Sequence, residues 1–206
     1  MIPLFIPLVP PVDVQPVPPP AIVKKYIPYG KARKMQMAGY AKRHYGVRTW
    51  KLTDPRTVVL HYTVSNTASS PWNLFASNTP SPGPSGSRPE RPGGCTHFIV
   101  DKDGTILQLA PLSTMCRHAI GINHRSVGIE FVEMSSADNI LNRPKQRKAG
   151  VRLVRWLQAE LDIATSDVIG HKMVNRSPHF QELQKGWRND HTDWNARQVR
   201  EFRSRL

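Results

Sequence analysis

The sequence predicts an α/β domain with a central mixed β-sheet flanked by helices, on three observations. Apolar, strand-like runs alternate with segments of helical period. Two of those runs flank a tight turn and so pair as a hairpin. Proline is almost absent between them: of 19 prolines, nine fall in residues 1–28 and six in 66–94, leaving four elsewhere. At 206 residues the chain suffices for one globular domain with appendages.

Residues 1–28, ending "PVPPPAIVKKYIP", read as a polyproline-type arm that packs on the domain or trails from it. The domain proper then spans 29–206. "GKARKMQMAGYAKRHYG" (30–46) is predicted to be a helix, with Met37, Tyr40, Ala41 and Tyr45 at three- and four-residue spacing and Gly46 closing it. "VVLHYTVSN" follows as a buried strand around Val58–Val64, unusual in carrying one histidine, His61. Residues 66–94 are rich in Pro, Ser and Gly and are predicted to be a long loop; Trp72, Leu74 and Phe75 near its start either pack down or line a groove, and Asn66 reads equally as a groove border or a plain loop residue.

In "CTHFIVDKDGTILQLAP" two β-type runs flank Asp103-Gly104, a turn in which both residues are expected at positive φ. "SVGIEFVEM" (126–134) is another strand. Residues 144–164 form a helix, with Pro144 in its first turn and Leu153, Val154, Leu157 and Leu161 on one stripe. "DVIGH" is a short strand ending at His171, and "DWNARQVREFRSRL" a basic closing helix.

The net charge is +14 and the pI near 10.3, which favours polyanionic partners: nucleic acid, an anionic membrane surface, or wall polymers carrying carboxylates and phosphates. Eight basic residues against one acid lie between Lys31 and Arg56. They lack the aromatic interleaving or groove-reading helix of a specific nucleic-acid binder. Cys95 and Cys116 are too few for a disulfide scaffold; one bond between them would fit an exported protein. No run is long enough to span a membrane. "MIPLFIPLVPP" lacks a basic start and is broken by prolines, so no signal peptide is expected.

Two apolar strands contain or end in histidine, at His61 and His171, and Asp193 follows 22 residues after the second. Two imidazoles and a carboxylate make a three-donor zinc site with a fourth position open to water. The spacing is not that of HExxH. Taken singly, His171 reads equally as a surface histidine at a strand end, and Asp193 as the N-cap of the closing helix.

"VVLHYT", "THFIVDKDGTILQLAP", "CRHAIG", "RSVGIEF" and "GH…HTD" occur in the order of the zinc-dependent N-acetylmuramoyl-L-alanine amidases, and residues 56–206 resemble that family. It includes phage amidase lysins, the wall-recycling anhydro-muramyl amidase and the animal peptidoglycan recognition proteins. The resemblance implies a single domain holding one zinc ion in a surface groove. It further implies hydrolysis of the amide between N-acetylmuramic acid and L-alanine in peptidoglycan. Within the same fold the alternative is a peptidoglycan-binding protein without turnover.

Residue by residue, the resemblance makes His61, His171 and Asp193 the metal ligands and Glu130 the general base. Many relatives use a tyrosine just before the "HF" of the hairpin strand, where this chain has Thr96. Where the family has lysine two residues before the third ligand, this chain has His191 as the expected donor to the oxyanion. The longer segment between His171 and Asp193 leaves His179 and Lys185 as rivals. His118 in "CRHAIG" is expected to touch the muramyl peptide, and His97 to be structural. The implied setting is a monomer acting on the cell wall, outside the cell or in the periplasm, or a phage lysin released from its host's cytoplasm. Its basic surface would meet anionic wall polymer or the outer membrane.

Overall fold

The structure, a computed structural model, describes residues 17–84 and 87–206. Most of the proline-rich arm, residues 1–16, lies outside this range. The elements, in chain order, are β1 (Val23–Lys24), α1 (Lys31–Tyr45), β2 (Thr57–Tyr62), α2 (Ser69–Ser77), β3 (Phe98–Val100), β4 (Ile106–Gln108), β5 (Ser126–Phe131), α3 (Ala137–Leu141), α4 (Pro144–Leu161), β6 (Val168–Gly170) and α5 (Ala196–Arg203). Among the described residues no helix is long and apolar enough to cross a membrane.

The six strands form one sheet in the order β1-β4-β3-β5-β2-β6. Only β3 and β4 pair antiparallel; every other neighbouring pair is parallel. The sheet is therefore mixed. Side chains alternate across a strand, so each strand serves two faces. Val58 and Leu60 of β2, Phe98 and Val100 of β3, and Val127, Ile129 and Phe131 of β5 are fully buried in one cluster with Leu153, Val154 and Leu157 of α4 and Phe202 of α5. The intervening residues of β2 and β5, including His61 and Glu130, point to the opposite face. One face of the sheet packs against α4 and α5; the other buries two smaller apolar clusters around Val59 and Ile99 and carries His61 and Glu130.

Helix α1 buries Met37, Tyr40, Ala41 and Tyr45 and ends at Gly46, whose φ of 79° is left-handed. The hairpin differs from expectation. Of its two turn residues only Gly104 has positive φ (95°), and Gly104 N donates to Asp101 O. This is a five-residue connection in which a single residue needs the left-handed region. The predicted loop over 66–94 holds α2, which has a proline, Pro71, in its first turn and ends on left-handed Asn78 (φ 52°).

At the far edge, β1 adds two residues in parallel to β4, and Ile27 beyond it is buried. Trp72 of α2 fixes this segment: its indole N–H donates to Lys25 O at 2.8 Å, with the Lys25 ammonium 5.0 Å from the ring. Rather than lining a groove, this side chain secures the arm. Asn66 accepts from Lys102 Nζ at 3.0 Å.

Cys95 and Cys116 are disulfide-bonded with Cα atoms 5.1 Å apart, and both are buried. The bond joins the start of the hairpin to the segment that carries His118.

Candidate active site

Three adjacent parallel strands put their chemistry in one row. The register of β2 with β5 sets His61 opposite Glu130, and its register with β6 (Leu60 opposite Gly170) sets His61 beside His171, the residue just past that strand. The fourth group arrives from farther along. Trp194, fully buried and left-handed (φ 51°), donates its indole N–H to His61 O at 3.1 Å and so holds Asp193 over the strand ends. Gly170 permits this approach, since a Cβ there would collide with Trp194 O. Asp193 is not the cap of the closing helix. Asn195 is, with its side chain accepting from Arg197 N and Gln198 N in a capping box.

His61 Nδ1 lies 3.1 Å from His171 Nδ1 and 3.3 Å from one oxygen of Asp193, whose other oxygen is 3.2 Å from His171 Nδ1. Two ligands of a tetrahedral ion with bonds of ~2.0–2.1 Å stand ~3.3 Å apart. The spacing and the donor types therefore suit a zinc-sized cation. The three groups are the ones that could jointly hold a metal among the described residues. Burial and the neighbouring His171 push the His61 imidazole down to about 4, against a smaller opposing pull from Asp193. It is neutral, as a ligand must be. Burial pushes the Asp193 carboxyl up, but the close imidazoles of His171 and His61 outweigh it and hold the group well below the usual carboxylate range.

Glu130 is set apart from these. Its Oε2 is buried without a hydrogen-bond partner. Burial first, and the charge of Asp193 second, push its carboxyl up to about 8. A carboxyl poised near neutrality can both take and give a proton.

All four groups line one groove of about 480 Å³, whose walls include Tyr62, Val64, Leu74, Phe75, Arg117 and Ile120. His191 is there too, its ring stacked on His171 with centroids 4.6 Å apart. Partial burial, then the His171 imidazole, lower its pKa. The rivals for its place lie elsewhere. His179 is 3.7 Å from Asp167 in a separate depression, and Lys185 is exposed and outside the groove.

His97 is fully buried and satisfied at both nitrogens: Nε2 donates to Thr114 O at 2.9 Å, and Nδ1 accepts from Gly128 N at 3.1 Å. His118 lines the groove, and its Nδ1 lies 3.0 Å from His61 Nε2. Burial and the imidazoles of His61, His97 and His171 drive its pKa well below the ordinary value.

Asn189 escapes sequence reasoning altogether. Its Oδ1 accepts from His171 Nε2 at 2.9 Å and from Ile120 N at 2.8 Å, while its Nδ2 donates to Ile120 O. It thus orients one imidazole and ties it to the groove wall, a role that no spacing announces.

Residues 51–196 match the family model described as N-acetylmuramoyl-L-alanine amidase. No curated protein matches the sequence. Among solved structures the chain is similar to the endolysin N-acetylmuramoyl-L-alanine amidase LysCS from Clostridium intestinale URNW, at 24% identity and a TM-score of 0.54 over 78% of this chain and 87% of that one. The amidase LysC from the same organism gives 25% identity and a TM-score of 0.52 over 77% and 87%. A mutant endolysin from Bacillus subtilis gives 22% and 0.50 over 74% and 84%. The family match extends from just before β2 to the first residue of α5 and includes every residue of the row described above, so the chain belongs to the N-acetylmuramoyl-L-alanine amidases.

Proposed function

We infer that this member of the family is zinc-dependent and cleaves the amide bond between N-acetylmuramic acid and L-alanine in peptidoglycan. His61, His171 and Asp193 would hold the ion. The observation that carries the reading is their convergence beside a carboxyl, Glu130, whose Oε2 is buried and unpartnered and which is held near neutrality.

When bound, zinc lowers the pKa of a ligated water towards ~7 and polarises a carbonyl. The rest is done by the chain. Glu130, ionised, accepts the proton of the attacking water; protonated, it delivers that proton to the departing L-alanine nitrogen. His191, stacked on His171, donates an N–H to the oxygen on which charge develops. Val64 and Leu74, both about three-fifths exposed, offer the apolar wall against which sugar and peptide would lie.

The basic charge suits a polyanionic wall. Lys145, Lys148 and Arg152 stand exposed on α4, and no carboxylate lies within ion-pair distance of them among the described residues. Cell wall is the expected place of action, with anionic wall polymer or the outer-membrane surface held through this charge.

The test is digestion of purified sacculi followed by mass spectrometry. Free L-alanine amino termini and intact muramic lactyl groups are expected, lost on chelation and restored by zinc. Glycan-chain cleavage, or no new amines with zinc present, would refute the reading.

A further inference from the structure

We propose that His118 is a positioning residue that fixes the tautomer and ring orientation of His61, rather than a contact for the substrate. This rests on the zinc-site reading above.

Nδ1 of His61 faces His171 and Asp193. An imidazole that offers its Nδ1 lone pair to a cation carries its proton on Nε2. That Nε2 lies 3.0 Å from His118 Nδ1, so His118 accepts through Nδ1 and has its own proton on Nε2. His118 Nε2 is 3.1 Å from Ser126 Oγ, and Ser126 Oγ donates in turn to Ile122 O at 2.9 Å. Read as His61 to His118 to Ser126 to a backbone carbonyl, every donor along the chain meets an acceptor in good geometry. Reversal would turn the Ser126 hydroxyl proton to His118 Nε2 and forfeit its bond to Ile122 O.

The surroundings hold His118 in this pose from two sides. Its backbone N–H, with that of Ala119, donates to the Oδ1 of buried Asn123, whose Nδ2 donates to Tyr45 Oη. The ring lies over Gly128 of β5, where an added Cβ would come within 2.8 Å of His118 Cγ and 2.9 Å of Cδ2. Gly128 is itself fixed by its N–H bond to His97. A glycine in the middle of a buried strand lacks a packing side chain. Here its missing side chain is the space that the imidazole occupies.

Partners that orient a metal-binding histidine typically alter metal affinity ~10–100-fold when removed. The test uses the full chain with His118→Ala, His118→Asn and Gly128→Ala. The readouts are Zn²⁺ affinity by chelator competition, the visible spectrum with Co²⁺, and ¹⁵N NMR of the imidazoles without metal. Wild type should show His61 protonated at Nε2. His118→Ala should bind Zn²⁺ ~10–100-fold more weakly and shift the Co²⁺ bands. His118→Asn should recover much of that loss, since its Oδ1 can accept in place of Nδ1, and Gly128→Ala should weaken binding with His118 still present. The idea is overturned if His118→Ala binds Zn²⁺ within about threefold of wild type, well short of that range. It is equally overturned if His61 proves protonated at Nδ1, or if KM rises while Zn²⁺ affinity stays unchanged. A wild-type chain that binds no Zn²⁺ is a separate result, one that removes the zinc site itself.

Discussion

Glu130 should make the metal-free protein weaker as pH rises, and Glu130→Gln should remove that weakness. The ordinary glutamate value is 4.5, and burial lifts this carboxyl to about 8. A carboxyl whose pKa is raised by folding is stabilising while protonated. Its contribution is complete below 4.5 and declines as pH climbs through about 8. A tenfold change in proton affinity is worth ~1.4 kcal/mol, so ionising Glu130 costs the fold up to ~4–5 kcal/mol, less whatever water entering the groove returns. Glutamine keeps the shape without the charge. Thermal melts of the two proteins in chelator should therefore lie within ~2–4 °C of each other at pH 5, where the difference is still under ~1 kcal/mol. At pH 9 the variant should melt higher by roughly 5–15 °C, at ~2–4 °C per kcal/mol for a chain of this size. The same substitution should lower turnover ~10²–10⁴-fold. Equal melting temperatures at pH 9 would show that the carboxyl ionises freely and is not held poised as a proton carrier.

Asp193→Ala should abolish tight Zn²⁺ binding, read by titration calorimetry, because two imidazoles alone leave the site one protein donor short. Gly170→Ala should destabilise the fold by about 2 kcal/mol or more in urea melts and weaken Zn²⁺ binding with it, since the new methyl group displaces Trp194 and so Asp193. His97, pushed down to about 4 mainly by burial, supplies stability that is complete above 6.5 and is lost as pH falls through about 4, about 3 kcal/mol in all. Its ring should show no NMR titration above pH 5; a midpoint at 6 or higher would contradict this. Replacing both cysteines by alanine should cost about 3 kcal/mol in urea melts, the value for closing a loop across a separation of 21 residues.

What the sequence discloses and what it withholds separate along a physical line. Buried strands announce themselves because apolar runs are local, so β2, β5 and the hairpin are legible, and α1 and α4 follow from helical spacing. Helix α2 is hidden by composition. Its stretch "SSPWNLFAS" sits among prolines and serines, and only Pro71 in its first turn and Asn78 just past its end signal a helix. Strand β1 is too short for any period, and exists because the edge of β4 has free backbone groups to pair. At the site, His61, His171 and Asp193 are candidates by type and Glu130 by its strand, but nothing local says that His118 turns to His61 or that Asn189 meets His171. Those contacts join residues 57 and 18 positions apart through a fold that has to exist first.

The geometry of this site is a consequence of parallel register. In open α/β sheets, ligand sites gather beyond the carboxyl ends of the strands. Here β5, β2 and β6 are neighbours in the sheet although 126–131, 57–62 and 168–170 are remote in the chain. Adjacent parallel strands lie about 4.8 Å apart, which is close enough for Glu130, His61 and His171 to share one groove. His171 follows β6 directly, but Asp193 comes from a segment remote from the strand ends, and it is the group that needs a dedicated device, Trp194 seated against Gly170. A one-residue slip of β2 would send His61 to the face packed by α4 and bring a neighbouring residue into the row. The packing that turns Val58 and Leu60 towards α4 therefore also sets which face His61 takes, and the core and the row of candidate groups cannot be altered independently along this strand.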